Sequence, residues 1–349
     1  MKFVSFRIAS AAAASFLALV SSPLTGVASA QSMFYSGKQI AMIVSSAPGG
    51  GYDAISRTVA RHLRRHIPGE PVVIVQNMGG TGGIVAANHV YNIASRDGLT
   101  IAQFQNTVPF EPLFGNKQAR YEPPKFNYLG SPSKETAMLI VWHESAIKTL
   151  KDAQNQEVIL AATGASSTPA FYTRLLVDLF GLKVKLISGY KGQNEQFLAM
   201  ERGENEGGAS TFLSSLKSIR PQWLKEQKVR PLLQYGMESS PELPDVPFAL
   251  DVLKDRPDDR KLMEVASAPL ALGRPFATPP GVPELQLSIL RKAILATFDD
   301  SAFKAECAKQ GLECNSVATG EQLQRIVEAA YSAPQEVIAR LRKIHASRL

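Results

Sequence analysis

The sequence contains few of the residue types from which metal and nucleophilic centres are built. Its 349 residues include two cysteines, five histidines and only 8% aromatic residues. His62 and His66 are one helical turn apart, but two arginines and no glutamate lie between them, which disfavours a shared metal ion. The other histidines stand singly, which is typical of structural histidines. We therefore expect no metal, no other cofactor and no catalytic centre.

Long hydrophobic runs are also absent, except at the N-terminus. Lys2 and Arg7 flank the start of "IASAAAASFLALV", which is short for a membrane span and is followed by small residues up to Ala28–Ala30. This is the three-part pattern of a signal peptide over residues 1–30, cleaved after Ala30. No cysteine stands at the cleavage point, which disfavours a lipid anchor. We expect a periplasmic protein.

Charge of one sign does not dominate the chain. The formal net charge is +7, and the densest basic pieces are "RHLRRH" at residues 61–66 and "ARLRKIHASR" at residues 339–348. Both have helical spacing and lack interleaved aromatics, so they predict solvated helix faces and disfavour a nucleic-acid partner. A mildly basic protein does suit an acidic small molecule.

The two cysteines, Cys307 and Cys314, are seven residues apart in "ECAKQGLEC". In an exported protein such a pair can oxidise and close a small loop at the end of a helix. A metal or redox role is disfavoured, because no third ligand type clusters beside them. Geometry decides whether the disulfide forms, and the sequence leaves both states open.

Short apolar runs alternate with helical patterns along the rest of the chain. Strands are predicted at residues 40–44, 71–77 and 97–106, with a helix between each pair, which indicates a parallel sheet. A similar alternation begins near Ala137, so the length fits about two α/β domains. In such sheets, ligands bind at the carboxyl ends of the strands.

The chain closes with helical patterns. Two closing helices are predicted, at about residues 284–298 and 320–343. An earlier helix is expected to end at Gly181 with a glycine cap. The second alternation repeats the design of the first, although no strict sequence repeat is present.

Residues Ala47 to Asp53, which we call the first corner, place three glycines between a strand and a helix. Bare N–H groups and the positive end of a helix dipole make such a corner an anion site. The lysine of a Walker loop is missing, and Gln76 and Asn77 stand where a dinucleotide site needs an acidic residue. A plain tight turn is the alternative, since glycine triplets often serve only positive φ.

Residues Thr163 to Thr168, the second corner, repeat this arrangement before Pro169, a favoured first helical residue. Ser167 or Thr168 would cap the helix. Facing each other across a cleft, the two corners could hold one carboxylate by backbone N–H groups and hydroxyls. The stretch "GASST" lacks the last glycine of a nucleophile elbow, so a hydrolase is disfavoured.

Six motifs in register carry a family resemblance over nearly the whole mature chain. The sequence resembles the solute-binding receptors of tripartite tricarboxylate transporters, the Bug family. The motifs are "SSAPGGGYDAISRTVARHL", "PVVIVQNMGGTGGIVAANHV", "SRDGLTI", "TGASSTPAFYTRLL", "GYKGQNEQFLAMERGE" and "LPDVPF".

The resemblance implies a bilobal Venus-flytrap fold with two α/β domains joined by two crossover segments. Domain 1 would comprise residues 31–130 and 270–349, and domain 2 residues 131–269. It further implies a monomeric, non-enzymatic receptor that captures a small carboxylate between the domains and delivers it to a two-component membrane permease.

The ligand-binding residues implied by the resemblance are those of the two corners and of a strand end that the family marks with Tyr-Lys-Gly. To these we add three residues that follow the third strand. The full set is Ala47, Pro48, Gly49, Gly50, Gly51, Tyr52, Asp53, Gln105, Asn106, Thr107, Thr163, Gly164, Ala165, Ser166, Ser167, Thr168, Tyr190 and Lys191.

The chain also departs from the family pattern at the expected pocket walls. Ser45 and Ser46 stand where relatives often carry a proline and an aromatic residue, and the stretch after Gly192 is more polar. The ligand therefore cannot be carried over from a relative. Lys191 could pair with a second acidic group of the ligand or face solvent.

The sequence leaves two other functions open. An exported hydrolase could use Ser166 or Ser167, but the sequence offers no base near either serine. A receptor of the same fold could instead hand its ligand to a membrane kinase, and the sequence does not separate sensing from transport.

Overall fold

The computed structural model describes residue 1 and residues 34–49, 51–164 and 167–347. Apart from Met1, the predicted signal peptide lies outside the described residues. Within the described part of the chain, no helix combines the length and apolar character needed to cross a membrane.

Eleven strands of the described residues form two sheets. In chain order the strands are β1 Gln39–Val44, β2 Val72–Asn77, β3 Thr100–Gln103, β4 Asn127–Ser131, β5 Ala137–Trp142, β6 Val158–Ala162, β7 Val184–Ser188, β8 Gly207–Phe212, β9 Val229–Tyr235, β10 Phe276–Thr278 and β11 Ala318–Thr319. The first sheet has the order β11-β4-β10-β3-β1-β2, and the second has the order β7-β6-β8-β5-β9.

The α-helices pack around these sheets, and short 3₁₀ turns occur at residues 64–66, 81–83, 108–110 and 123–125. In chain order the helices are α1 Gly51–Leu63, α2 Ile84–Asn92, α3 Leu150–Asn155, α4 Thr168–Phe180, α5 Gln193–Glu201, α6 Leu213–Ile219, α7 Ala249–Val252, α8 Pro257–Leu272, α9 Glu284–Asp299, α10 Ser301–Lys309, α11 Gly320–Tyr331 and α12 Gln335–Ala346.

The first sheet confirms the predicted strand–helix alternation. β1 pairs in parallel with β2 and β3, and its residues from Met42 to Val44 are buried. α1 packs Ile55, Val59 and Leu63 into the core beside β1. Because β1, β2 and β3 run in the same direction, the segments that follow them meet at one edge of the sheet.

The second sheet repeats the design and, like the first sheet with β10, contains a reversed strand. β6 is parallel to β7 and β8, whereas β5 lies between β8 and β9 and runs antiparallel to both. α4 follows β6 and ends at Gly181, whose φ of 66° gives the predicted glycine cap. The reversed β5 matters because it begins at the edge where β8 and β9 end.

Two crossover segments join the lobes, each lobe being one sheet with its helices. Residues 132–136 lead from β4 to β5, and residues 273–275 lead from α8 to β10. A five-residue segment spans at most about 17 Å. At the crossovers, the carboxyl edges of the two sheets therefore lie within about that distance of each other, and they face each other across a cleft. The predicted bilobal α/β architecture is confirmed.

The proposed division of the chain into domains stays a prediction. Residues of the first sheet come from both ends of the chain and those of the second sheet from its middle, as expected for two crossovers. The expected boundary at residues 269 and 270 lies inside α8. The Tyr172 hydroxyl of α4 donates to the Ala266 carbonyl of α8, which ties α8 to the second lobe.

The closing helices differ from the prediction in one respect. The first closing helix is confirmed as α9, but the expected single helix over residues 320–343 is wrong. It is divided into α11 and α12 at Pro334, because proline lacks an N–H donor and disfavours helical geometry in the residue before it. α12 then packs against α4 and α8, with Arg174 donating to the Ile344 carbonyl at 2.9 Å.

The basic stretch at the end of α1 is paired, so the expected solvated face is wrong for its histidines. His62 Nε2 lies 2.6 Å from the Glu306 carboxylate, and His66 Nε2 lies 3.1 Å from that of Asp300. Arg65 also donates to Asp300 at 2.6 Å. α10 supplies a complementary acidic surface that the local sequence of α1 does not reveal.

The disulfide between Cys307 and Cys314, which the sequence left open, is formed, with a Cα–Cα distance of 6.3 Å. It closes the turn after α10, and both cysteines are buried in the core of the first lobe. The ion pairs of Glu306 with Arg61 and His62 hold α10 against α1, the helix that begins at the first corner.

Candidate functional site

The first corner joins β1 to α1 and begins as exposed backbone. Ala47, Pro48 and Gly49 are exposed, and Gly49 has a φ of 85°, which favours glycine. Gly50, which belongs to the predicted site, lies outside the described residues. Gly51 begins α1 and is exposed as well. The corner thus presents uncovered backbone at the positive end of a helix of 13 residues.

Asp53 holds the first corner in place from inside. Its carboxylate accepts hydrogen bonds from the Gly49 N–H at 2.9 Å, from Asn77 Nδ2 at 2.9 Å and from Arg57 Nε at 3.0 Å. Asn77 Nδ2 also donates to the Ser46 carbonyl at 3.1 Å. Asp53 therefore ties the corner to the end of β2, and a direct role in ligand binding stays a prediction.

Stability at low pH should depend on Asp53. Burial alone would raise its pKa, but hydrogen bonds from Arg57, Gly49 and Asn77 outweigh burial and hold the pKa at about 2, below the ordinary 3.8. Because the folded pKa is the lower one, the stabilisation is present above about pH 4. It is lost as the pH falls toward 2. The difference corresponds to about 2 kcal/mol.

The measurement is the free energy of unfolding by urea between pH 2 and 7, for the wild type and for Asp53→Asn. We expect the variant to be about 2 kcal/mol less stable at pH 7 and the gap to close toward pH 2. A gap that keeps its size down to pH 2 would contradict this role, since other carboxylates titrate equally in both proteins.

The residues that follow β3 lie against the first corner and against Ser45, which precedes it. The Gln105 N–H donates to Ser45 Oγ at 2.7 Å, and Gln105 Nε2 donates to the Ser45 carbonyl at 2.9 Å. The Asn106 N–H donates to the Tyr52 hydroxyl at 3.2 Å. Thr107 follows, half-buried. The structure thus brings Gln105 and Asn106 against the first corner, as expected from the parallel strands.

The structure adds Arg274, a residue that the sequence argument missed. Its guanidinium carbon lies 5.2 Å from the centre of the Tyr52 ring. A side chain at Gly51 would meet it, because a Cβ there would lie 2.9 Å from Arg274 Nη1. Glycine at this position therefore makes room for the arginine. The only signal in the sequence is a Gly-Arg-Pro step before β10, to which the sequence argument assigned no role.

Arg274 faces Glu135 of the other crossover, and we call these two residues the crossover pair. Arg274 Nη2 lies 3.9 Å from Glu135 Oε1, with the two side chains 15% and 5% exposed. Ser214, at the start of α6, donates to Glu135 Oε2 at 2.7 Å. Burial raises the pKa of Glu135, and Arg274 and Ser214 oppose that rise. The crossover pair lies between the first corner and the second lobe.

The second corner follows β6 with Thr163 and Gly164. The Ser167 hydroxyl donates to the Gly164 carbonyl at 2.7 Å and accepts from the Ala170 N–H, which makes Ser167 the cap of α4. A Cβ at Gly164 would have no atom within 4 Å, so the space beside this residue is open, while its N–H donates to Ser167 Oγ at 3.3 Å. Ala165 and Ser166, also in the predicted site, lie outside the described residues.

The strand end at Tyr190 and Lys191 follows β7. The Lys191 N–H donates to the Glu195 carboxylate, and the Lys191 side chain is exposed. Tyr190 is half-buried. Both residues lie at the same edge of the second sheet as the second corner, because β6 and β7 are parallel. Their contact with a ligand stays a prediction.

A separate cavity of about 350 Å³ opens between the lobes, with Glu135 among its lining residues. Its lining includes Thr136, Leu213, Ser240 and Glu313, and neither corner contributes to it. No group of three or more histidine, cysteine or acidic residues suited to a metal ion occurs in the described part of the chain.

Comparison with known sequences gives a family match over most of the chain. The model of the tripartite tricarboxylate transporter family receptor matches residues 55–342. A UPF0065 protein of the TAR-I ttuE-ttuC′ intergenic region of Agrobacterium vitis is 28% identical over 182 residues, which are 50% of this chain and 51% of that protein. Protein BugT of Bordetella pertussis is 37% identical over 75 residues, 22% of either chain. The chain thus spans about half or less of the length of these relatives.

Solved structures of similar fold cover nearly the whole chain. A TctC solute-binding protein from Polaromonas gives a TM-score of 0.68 at 19% identity, over 89% of this chain and 98% of that one. An R. palustris protein with adipate gives 0.61 at 19% identity, over 88% and 98%. MatC from Rhodopseudomonas palustris with bound malate gives 0.57 at 20% identity, over 88% and 99%. At these identities the likeness shows the fold.

Proposed function

The chain belongs to the tripartite tricarboxylate transporter receptor family, and on this premise we propose that it is a periplasmic receptor for a small organic carboxylate. The ligand binds in the cleft between the lobes and is delivered to a two-component membrane permease. The observation that carries the proposal is the exposed backbone of the first corner at the start of α1, opposite the open space beside Gly164.

Physical chemistry supports an anion at this place. Unpaired N–H groups and the helix dipole favour negative charge at the start of α1, and Arg274 adds a fixed cation beside it. The fold supports a cleft ligand too, since binding across two lobes can close them about the crossovers. The relatives solved with adipate and malate agree with a carboxylate ligand.

The hydrolase alternative gains no support from the described residues. The Ser167 hydroxyl donates to the Gly164 carbonyl, and within the described part of the chain no histidine or carboxylate bonds to it. A nucleophilic serine needs such a base. Ser166, the other candidate, lies outside the described residues. We therefore propose a receptor without catalytic activity.

A thermal-shift and calorimetry screen over mono-, di- and tricarboxylates and aromatic acids tests the proposed function. A ligand at a hundredfold excess over its Kd stabilises the folded state by about 2.7 kcal/mol, which raises the melting temperature measurably. We expect at least one carboxylate to do so with one site per chain. A flat response to the whole panel would reject the proposal.

Delivery to a permease requires a second experiment. Uptake of the labelled ligand by cells should fall when this chain is deleted and should return with the wild-type chain. Unchanged uptake, together with a ligand-dependent response of a membrane kinase, would instead assign the receptor to sensing.

A further inference from the structure

The crossover pair contains a guanidinium whose hydrogen-bonding capacity is largely unused. Arg274 carries five N–H donors, yet among the described residues no acceptor lies within hydrogen-bonding distance of them. Its nearest carboxylate oxygen, on Glu135, is 3.9 Å away. Charged groups with little exposure are normally paired and hydrogen-bonded, and the Arg274 side chain is 15% exposed, so its free donors are suited to an anion that enters the cleft.

Glu135 is the complementary half of the same cluster. Its side chain is 5% exposed, and one carboxylate oxygen accepts from Ser214 while the other faces Arg274 beyond hydrogen-bonding distance. Burial penalises this charge, and the penalty falls when a cation approaches. The free oxygen is therefore suited to a cationic group.

The crossover pair also occupies the place where both lobes meet a cleft ligand. Arg274 rests against Gly51 of the first corner, on the first lobe. Glu135 is held by Ser214, which lies in the first turn of α6 on the second lobe. A ligand that contacts Arg274 and Glu135 together would therefore touch both crossovers and both lobes.

We propose that the receptor selects a zwitterion, a carboxylate that carries an ammonium group on a neighbouring carbon. This inference rests on the proposed function and specifies its ligand class. The carboxylate binds Arg274 and the N–H groups of the first corner, and the ammonium group binds Glu135. The two side chains have opposite charges 3.9 Å apart, which matches neighbouring opposite charges on one ligand.

The same charges disfavour a dianion. A ligand with two neighbouring carboxylates would place the second against Glu135, and like charges at short range repel. A neutral zwitterion places an opposite charge beside each member of the crossover pair. The expected ligand class therefore differs from the adipate and malate seen in the structural relatives.

Matched ligand pairs test this selection by calorimetry. We would compare glutamate with glutarate, leucine with 4-methylpentanoate, and phenylalanine with 3-phenylpropionate. For at least one pair, the amino acid should bind about tenfold tighter or more, the value of one hydrogen bond to a charged group. If the compounds without the ammonium group bind equally well or better, the inference is wrong and the proposed function stands. If nothing binds, both fail.

Variants of the crossover pair test the separate roles of Arg274 and Glu135 in binding the ligand. Arg274→Gln should weaken binding of both members of a pair by about a hundredfold, and Arg274→Lys should restore part of it. Glu135→Gln should weaken only the amino acid, by about tenfold or more. If Glu135→Gln weakens both members equally, Glu135 merely positions Arg274 and the inference is overturned.

Two matched controls carry the same chemical changes far from the cleft. Arg96→Gln and Glu144→Gln alter exposed residues and should leave every affinity unchanged. The melting temperature of each variant is measured first. If Arg274→Gln does not fold, the comparison of Glu135→Gln with wild type still decides, because it depends on the difference between ligands.

Discussion

Gly273→Ala is expected to lower the free energy of unfolding by about 3–5 kcal/mol, the largest loss of stability that we predict. A Cβ at this position would lie 1.9 Å from the Ser133 carbonyl oxygen, which is backbone and cannot swing aside. The φ of 57° adds strain for any residue with a side chain. The two crossovers must separate to accept it.

The consequence should extend to binding. Next to Gly273, the Arg274 N–H donates to Ser131 Oγ at 2.9 Å, and Ser131 in turn donates to the Ser133 carbonyl at 2.8 Å. Separating the crossovers breaks this chain of hydrogen bonds and moves the Arg274 side chain away from the first corner. We therefore expect Gly273→Ala to lose affinity as well as stability.

Gly281→Ala is the matched control for Gly273→Ala. Its φ of 76° imposes similar strain, but the nearest atom to a Cβ would be 3.8 Å away, so no clash arises. We expect it to cost about 1 kcal/mol. Urea unfolding of the two variants separates strain from clash. Equal losses of stability in the two variants would show that the crossovers accept the added methyl group without a clash. That result would contradict the close approach of Gly273 to the Ser133 carbonyl.

Gly164→Val is expected to lower ligand affinity by about a hundredfold or more while leaving the fold intact. A Cβ there meets no atom within 4 Å, so the protein accepts the side chain. The same open space is where the proposed ligand approaches the N–H groups of the second corner, and valine would cover them. Loss of two charge-assisted hydrogen bonds corresponds to a change of this size.

Gly51→Val makes the same test on the first corner, with one difference. The added side chain would displace the flexible end of Arg274 as well as cover the start of α1. We expect a similar loss of affinity, with a small loss of stability. Calorimetry and thermal melts of both variants give the two quantities separately. Wild-type affinity in Gly164→Val would remove the second corner from the site.

An exposed alanine supplies the control for both valine variants. Ala308→Val adds similar apolar volume on the surface of α10, away from the cleft. It should leave affinity unchanged and lower stability by no more than about 0.7 kcal/mol, because valine is a poorer helix former than alanine. A loss of affinity there would mean that the assay responds to surface changes in general.

The local features of this fold could be predicted from the sequence. The strand–glycine–helix corners, the cap at Gly181 and the succession of strands follow from apolar periodicity and from the backbone preferences of glycine and proline. These signals act over a few residues, so the sequence reveals them directly. The six ordered motifs also led to the family, which the match over residues 55–342 establishes.

The features that depend on distant parts of the chain could not be predicted. The antiparallel β5 and the crossover pair both arise from how the two sheets are joined. The charges of Arg274 and Glu135 meet only after folding, and nothing in the flanking residues marks them. The contact of Asp53 with a ligand stays a prediction, and its hydrogen bonds with Gly49, Arg57 and Asn77 are a bracing role that the sequence did not reveal.

A crystal structure of the complex with the tightest-binding member of the carboxylate panel tests the central claim most directly. We predict that the carboxylate lies within hydrogen-bonding distance of backbone N–H groups of the first and second corners and of the Arg274 guanidinium. A carboxylate bound instead in the separate cavity lined by Thr136, Ser240 and Glu313 would contradict the account.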